Sequence, residues 1–106
     1  MKKVIGGLRY DTEKAIEVGT HYHGNHPGSG NFSHWFATLY KTPRSGKFFL
    51  HGEGGPMTQF ATCNAHGISS GEDIIPLSAA EALRWAEQFL KADDIEEHFS
   101  DSIQDA

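Results

Sequence analysis

Three histidines in this chain are spaced in a way that is compatible with binding a metal ion. His21 and His23 lie two residues apart, and His26 follows shortly after them. Residues two apart in a strand point to the same face, so two imidazoles would stand together with a third at the start of a loop. Imidazoles are ligands that zinc accepts. The cluster therefore predicts, as an alternative function, a metal-binding protein or a small metal-dependent hydrolase.

The same segment resembles the His-x-His-x-Asp-His signature of the metallo-β-lactamase superfamily. The likeness runs from Thr20 to Gly28, and Asn25 stands where the signature carries its acidic residue. The later metal ligands of that superfamily have no matching motif in this chain. Exposed histidines on a strand and a loop are the simpler interpretation, and we expect no cofactor.

A second candidate site is a basic hairpin tip. Lys41, Arg44 and Lys47 surround a turn that begins at Pro43 and ends at Gly46. Such cations could contact phosphates while neighbouring aromatic rings stack on bases, so nucleic-acid binding is another alternative. The aromatic residues are also needed to fill a small core, and the chain is acidic overall, so direct nucleic-acid binding is not the preferred interpretation.

Negative charge is concentrated at the C-terminus. The formal net charge is −5; residues 1–77 contribute +1, and residues 78–106 contribute −6. The last fourteen residues carry six carboxylates and no Lys or Arg. A localised acidic surface bears on the partners that a protein can bind.

This acidic segment is predicted to be a helix that starts at Asp93 or Asp94 and runs to residue 105. Ile95, Phe99 and Ile103 would form its buried stripe. The outward carboxylates would span about 20 Å at a density close to that of phosphates along one DNA strand. The predicted partner-binding residues are Asp93, Asp94, Glu97, Asp101 and Asp105, with Trp85 of the preceding helix as an apolar anchor.

The 106 residues suit a single domain, with a β-rich part over residues 1–77 and a helical, acidic part over residues 78–106. The apolar runs are shorter than a membrane span requires. The lone Cys63 cannot form an internal disulfide, which favours a reducing, cytoplasmic location.

The fold class predicted is α+β, an antiparallel sheet of about four to five strands followed by two C-terminal helices. Hairpins are expected at Gly6-Gly7 and at the basic tip, and a strand with alternating burial is expected over residues 15–23. Ser78 and Glu81 form a capping-box signature before a helix over residues 79–91. Residues 24–31 and 64–71 are expected to be loops.

Several segments together resemble a group of small bacterial proteins carried on prophages and other mobile elements. They are residues 2–5 with 10–12, 39–42 with 49–55, and 71–78. The resemblance implies a mobile-element setting, in which small acidic proteins often inhibit host defence, anti-CRISPR proteins among them. It identifies no catalytic residue.

The preferred hypothesis is therefore a non-enzymatic protein-interaction module. Its acidic helical face would dock on a larger protein, such as a CRISPR effector or another nucleic-acid-binding complex, and block it. Charged contacts would give association rate and specificity, while the Trp85 anchor would hold the complex. No membrane partner is expected.

Overall fold

A computed structural model describes residues 1–23, 35–54, 62–64, 67–69 and 71–105. The strands are β1 (Lys2–Ile5), β2 (Leu8–Asp11), β3 (Ile16–His23), β4 (Trp35–Lys41), β5 (Phe48–Gly54), β6 (Thr62–Asn64), β7 (Gly67–Ser69) and β8 (Gly71–Leu77). The helices are α1 (Ala79–Phe89) and α2 (Ala92–Phe99), followed by a 3₁₀ turn at Ser100–Ser102. Within these ranges, no helix has both the length and the apolar content that crossing a membrane requires.

The α+β prediction is confirmed. Strands β3, β4, β5 and β8 form an antiparallel four-stranded sheet in the order β3-β4-β5-β8, and β1 pairs with β2 as a separate hairpin. The two helices follow in sequence and cover one face of the sheet, while the β1–β2 hairpin packs on the other. The central strands are thus covered on both faces by apolar side chains.

The β4–β5 hairpin forms where Thr42 and Gly46 set the turn. Thr42 N–H donates to the Lys47 carbonyl at 2.8 Å, and Thr42 Oγ1 accepts from Lys47 N–H at 2.9 Å. Gly46 takes a positive φ of 64°, which a residue without Cβ adopts at little cost. The predicted turn is confirmed, and it holds Arg44 at an exposed tip.

The helix-side core is built from alternate residues of the central strands. Ala37, Leu39 and Leu50 are buried against Ala82 and Ala86 of α1. The small alanines let α1 approach the sheet closely. At the other end of this core, the ring of Phe99 in α2 stacks on Phe48 with centroids 4.9 Å apart.

The opposite core is smaller and binds the β1–β2 hairpin to the sheet. Tyr10, Phe49 and Ile74 are buried together, and the Tyr10 and Phe49 rings meet edge to face at 5.4 Å. Lys3 Nζ also reaches Asp73 Oδ1 of the edge strand β8 at 2.6 Å. The hairpin is therefore held by an aromatic contact and by one surface ion pair.

The predicted alternation along β3 is wrong in part. Val18 is buried as expected, but Ile16 is 45% exposed and Tyr22 is 63% exposed. The register with β4 shifts between Glu17 and Gly19, and a bulge of this kind changes which residues face the core. As a result His21, rather than Tyr22, lies on the helix side.

Residues 71–77 form an edge strand that the sequence patterns did not assign, and this strand contains Pro76. At the edge of a sheet proline is tolerated, since its missing N–H need not face a partner. The expected loop over residues 64–71 is also wrong in part, because β7 pairs with β6 within it. The expected loop at residues 24–31 lies outside the described residues.

The capping box that starts α1 is confirmed. Glu81 N–H donates to Ser78 Oγ at 3.1 Å, and Ser78 N–H donates to Glu81 Oε1 at 2.9 Å. The hydrogen bond from the Ser78 N–H to the carboxylate, then the bond with the Ser78 side chain and the charge of Arg84, outweigh desolvation and lower the pKa of Glu81. The helix ends at Phe89, two residues earlier than predicted.

Gly19 offers a test of how closely α1 approaches the sheet. A Cβ at this position would lie 2.8 Å from Leu90 Cδ2, a distance that forces a shift. Valine favours strands, so its intrinsic preference does not predict a loss of stability in Gly19→Val, whereas the contact with Leu90 does. We expect a decrease of about 1–3 kcal/mol in the free energy of unfolding, measured with urea. In the Gly19→Val/Leu90→Ala double variant, the loss should be smaller than the sum of the two single losses; strict additivity would contradict the contact.

The Lys3–Asp73 pair predicts an acid-dependent term in stability. Burial raises the pKa of Asp73, but the hydrogen bonds from Lys3 and the Ile74 N–H, with the Lys3 charge, outweigh it and lower the pKa. The stabilisation is present above the unfolded pKa of about 3.9 and is lost as pH falls through the lower folded value. Both side chains are over 40% exposed, so Asp73→Asn should cost about 0.5–1 kcal/mol at neutral pH.

The measurement is urea unfolding of Asp73→Asn and of the native chain at neutral pH and below the folded pKa of Asp73. The difference should disappear in acid, because the native aspartic acid is then uncharged as well. A difference that stays constant with pH would assign the loss to something other than the ion pair.

Candidate functional site

The carboxylates of α2 form a compact acidic patch. Asp93, Asp94, Glu96 and Glu97 fall within five consecutive residues, interrupted only by Ile95. At about 100° and 1.5 Å per residue they spread over roughly 160° of the helix circumference and about 6 Å of its length. Phe99 is buried on the opposite side of the helix. The patch therefore faces away from the core.

The predicted long acidic helix is wrong in its extent. The α-helix ends at Phe99, a 3₁₀ turn covers Ser100–Ser102, and Ile103 has an extended backbone. Asp101 therefore lies in the 3₁₀ turn, and the exposed Asp105 lies beyond the last helical residue. Neither continues the helical face of Asp94 and Glu97, so the predicted row of carboxylates over about 20 Å does not form.

An apolar groove with carboxylates at its margin lies where α1, α2 and the C-terminal segment meet. Its volume is about 330 Å³. We call it the acidic groove. It is lined by Leu83, Glu87, Ala92, Ile95, Glu96, Ser102, Ile103 and Gln104. Leu83 and Ile95 are half-buried, and Ile103 is 38% exposed, so apolar surface is open to a partner between two exposed carboxylates.

These carboxylates have few partners within the protein. Among the described residues, no Lys or Arg forms an ion pair with Asp93, Asp94 or Glu96, and Glu97 has only His98 Nε2 at 3.7 Å. Asp93 and Asp94 occupy the first turn of α2, where the helix dipole favours negative charge. The helix thus tolerates the patch, while its charge remains available to a partner.

Trp85 lies apart from the acidic groove. It is about 160° around α1 from Leu83, so the two residues flank opposite edges of the buried face. Its ring packs on Phe89 at 5.2 Å, and Phe89 also contacts Trp35 at 5.3 Å. The structure does not bring Trp85 together with the acidic groove, and its role as a partner-binding anchor remains a prediction.

The predicted basic tip is divided in the structure. Lys41 extends over the Phe48 ring at 5.7 Å from its centroid. Arg44 and Lys47 instead line a groove with Arg9 and Lys14, which come from the β2 end and the turn after it. Spacing along the chain does not predict that these four cations line one groove, because the groove depends on how the β1–β2 hairpin packs on the sheet.

The histidine cluster is only partly within the described residues. His21 is half-buried, and its ring lies 4.5 Å from Phe89 and 5.6 Å from Trp35. His23 ends β3 opposite Trp35, and His26 lies outside the described residues. The part of the chain that the structure describes contains no group of three His, Cys, Asp or Glu residues able to hold a metal ion. These contacts do not test the metal-binding alternative, which remains a prediction.

The pKa shifts have structural causes outside both grooves. Besides Asp73 and Glu81, the pKa of Tyr40 is raised, first by burial and then by the charge of Glu17. The Tyr40 ring stacks on Phe49 in the hairpin-side core at 5.2 Å. These shifts therefore report on packing, on helix capping and on the Lys3–Asp73 ion pair.

Sequence reasoning missed Glu87 and Glu96 as groove residues, together with the apolar residues between them. A signal was present: Leu83 and Glu87 lie four apart on α1, and Ile95 and Glu96 come early in α2. Connecting them required knowing how α1 and α2 pack, which a helical period alone does not determine.

No protein-family model, curated protein or solved structure matches this chain. The resemblance to small mobile-element proteins therefore remains a prediction from the segments that carry it.

Proposed function

We propose that this protein is a non-enzymatic interaction module that docks its acidic groove and the α2 carboxylates on a larger protein. The main support is the combination of exposed carboxylates without a Lys or Arg partner among the described residues and open apolar side chains beside them. Protein interfaces typically place an apolar anchor at the centre and polar groups around it. The apolar part of the acidic groove is formed by Leu83, Ile95 and Ile103. Its charged margin is formed by Glu87 and Glu96.

The complementary partner carries an apolar side chain flanked by a small cluster of Lys or Arg. Nucleic-acid-binding proteins expose such clusters, because they neutralise phosphates with basic side chains. The α2 carboxylates occupy only about 6 Å of helix, so they suit a compact basic patch better than a long phosphate track. A basic patch occupied by this protein is unavailable to nucleic acid.

The mobile-element resemblance is consistent with an inhibitor of host defence. A CRISPR effector is one class of nucleic-acid-binding complex with basic channels that such a module could block. Opposite charges would accelerate association, and burial of the groove's apolar side chains would slow dissociation.

The test is capture of partners from bacterial lysate, followed by purified binding measurements with the captured protein. Glu96→Lys/Glu97→Lys should weaken binding by about 30- to 150-fold, because two attractive contacts become repulsive, a change of roughly 2–3 kcal/mol. The loss should decrease as salt rises. Inhibition of the partner's nucleic-acid-dependent activity should be lost in parallel.

Glu13→Lys/Glu53→Lys is the matched control, since it makes the same charge change at two exposed carboxylates outside the groove. It should bind within about threefold of the native chain, a difference below 1 kcal/mol. Equal affinities for both double variants would contradict the proposal.

Ile103→Ser tests the apolar part of the groove separately. Ile103 is already 38% exposed, so the substitution should leave the fold intact while removing an apolar contact with the partner. We expect faster dissociation with nearly unchanged association rate and salt dependence. An unchanged dissociation rate, measured by surface plasmon resonance, would exclude Ile103 from the interface.

A further inference from the structure

A second groove lies on the hairpin side of the sheet and is basic. Its volume is about 530 Å³, and it runs between the β2 end and the β4–β5 turn. We call it the basic groove. It is lined by Leu8, Arg9, Tyr10, Asp11, Lys14, Ala15, Thr42, Pro43, Arg44, Ser45 and Lys47. Four of these residues are exposed cations and one is a carboxylate.

The positive charges of these four residues are available to a ligand. Among the described residues, no carboxylate forms an ion pair with Arg9, Lys14, Arg44 or Lys47. Asp11, the one carboxylate among the described lining residues, accepts the Glu13 N–H at 3.0 Å. Residues 1–47 contain seven cations and three anions, so this part of the sequence carries +4 although the whole chain carries −5.

Both walls of the basic groove are held by hydrogen bonds. On one wall, the Asp11 carbonyl accepts the N–H groups of Lys14 and Ala15 at 3.2 and 3.1 Å. On the other, the hydroxyls of Thr42 and Ser45 lie 2.9 Å apart, and Gly46 N–H donates to the Thr42 carbonyl. The cations are thus mounted on ordered turns, which lowers the entropy lost when a ligand binds.

Apolar surface lies between the charged walls. Leu8 is 43% exposed, Pro43 is exposed, and the buried Tyr10 forms part of the lining. A ligand that fits must carry repeated negative charge and flat groups able to pack on this surface. A duplex keeps its bases stacked inside, whereas a single strand can present phosphates and bare bases together.

We propose that the basic groove binds single-stranded nucleic acid, with Arg9, Lys14, Arg44 and Lys47 on the phosphates. Arginine is suited to this role because its guanidinium can donate two parallel hydrogen bonds to a phosphate. The site goes beyond the proposed function and uses none of the residues of the acidic groove. Its failure would leave that function standing, and the reverse is also true.

The test uses fluorescence anisotropy of a labelled oligo(dT) of about twelve nucleotides with the purified full chain. Arg44→Gln/Lys47→Gln should weaken binding at least tenfold near 50 mM salt, and Arg9→Gln/Lys14→Gln should do the same. Native affinity should fall with a log–log salt slope of about −3, since about four phosphates are neutralised, and each double variant should reduce that slope by about half.

Arg84→Gln/Lys91→Gln is the matched control, because it removes two exposed cations from the helical part. It should bind within about twofold of the native chain, a difference well below the tenfold losses. Unchanged melting temperatures would show that all variants fold. The proposal is overturned if the native chain does not bind, or if the groove variants and the control lose affinity equally.

Competition identifies the ligand class. A poly-glutamate peptide of equal charge and free thymidine monophosphate should compete at least tenfold more weakly than unlabelled oligo(dT). Equal competition by poly-glutamate would assign the groove to acidic peptides, and equal competition by the mononucleotide would assign it to free nucleotides; either result overturns the single-strand assignment. Backbone amide shifts on titration should centre on Arg9 and Arg44, and shifts centred elsewhere would also overturn it.

Discussion

The pleat of β5 sends two adjacent phenylalanine rings to opposite faces of the sheet, and each ring fixes one of the two charged surfaces. Phe48 stacks on Phe99, the one buried residue of α2. Phe49 contacts Tyr10 of the β1–β2 hairpin and stacks on Tyr40. Because successive strand residues alternate between faces, a single dipeptide connects the acidic helix and the basic hairpin to one central strand.

This arrangement explains how short, polar elements are held in place. Isolated helices of eight residues and isolated two-stranded hairpins are marginal in water. In α2 the Phe99 ring and the half-buried Ile95 supply the burial, which leaves the remaining faces free for carboxylates. In the hairpin Tyr10 and Ile5 do so, which leaves Arg9 on the groove side. Few buried residues therefore position many charged ones.

The features that could be predicted from sequence are those set by local chemistry. The Ser78–Glu81 capping box, the glycine turns and the α+β order all follow from neighbouring residues. The errors arose where contacts between distant residues determine the structure: the bulge beside Gly19 reversed part of β3, and residues 71–77 became a strand by pairing with β5. The basic groove joins residues 8–15 with residues 42–47, and the acidic groove depends on how α1 packs against α2, so neither could be predicted from spacing alone.

The sheet also keeps the two charged surfaces electrically distinct. Stacked layers of secondary structure lie about 10 Å apart, so the sheet stands between the hairpin layer and the helix layer. The Debye length at physiological salt is about 8 Å, so exposed charges farther than this from the basic groove are largely screened from it. A ligand at the basic groove therefore senses local positive charge although the chain carries −5 overall. Net charge disfavoured nucleic acid in the sequence interpretation, but the fold removes that objection, because what a ligand meets is the charge within a Debye length of its site.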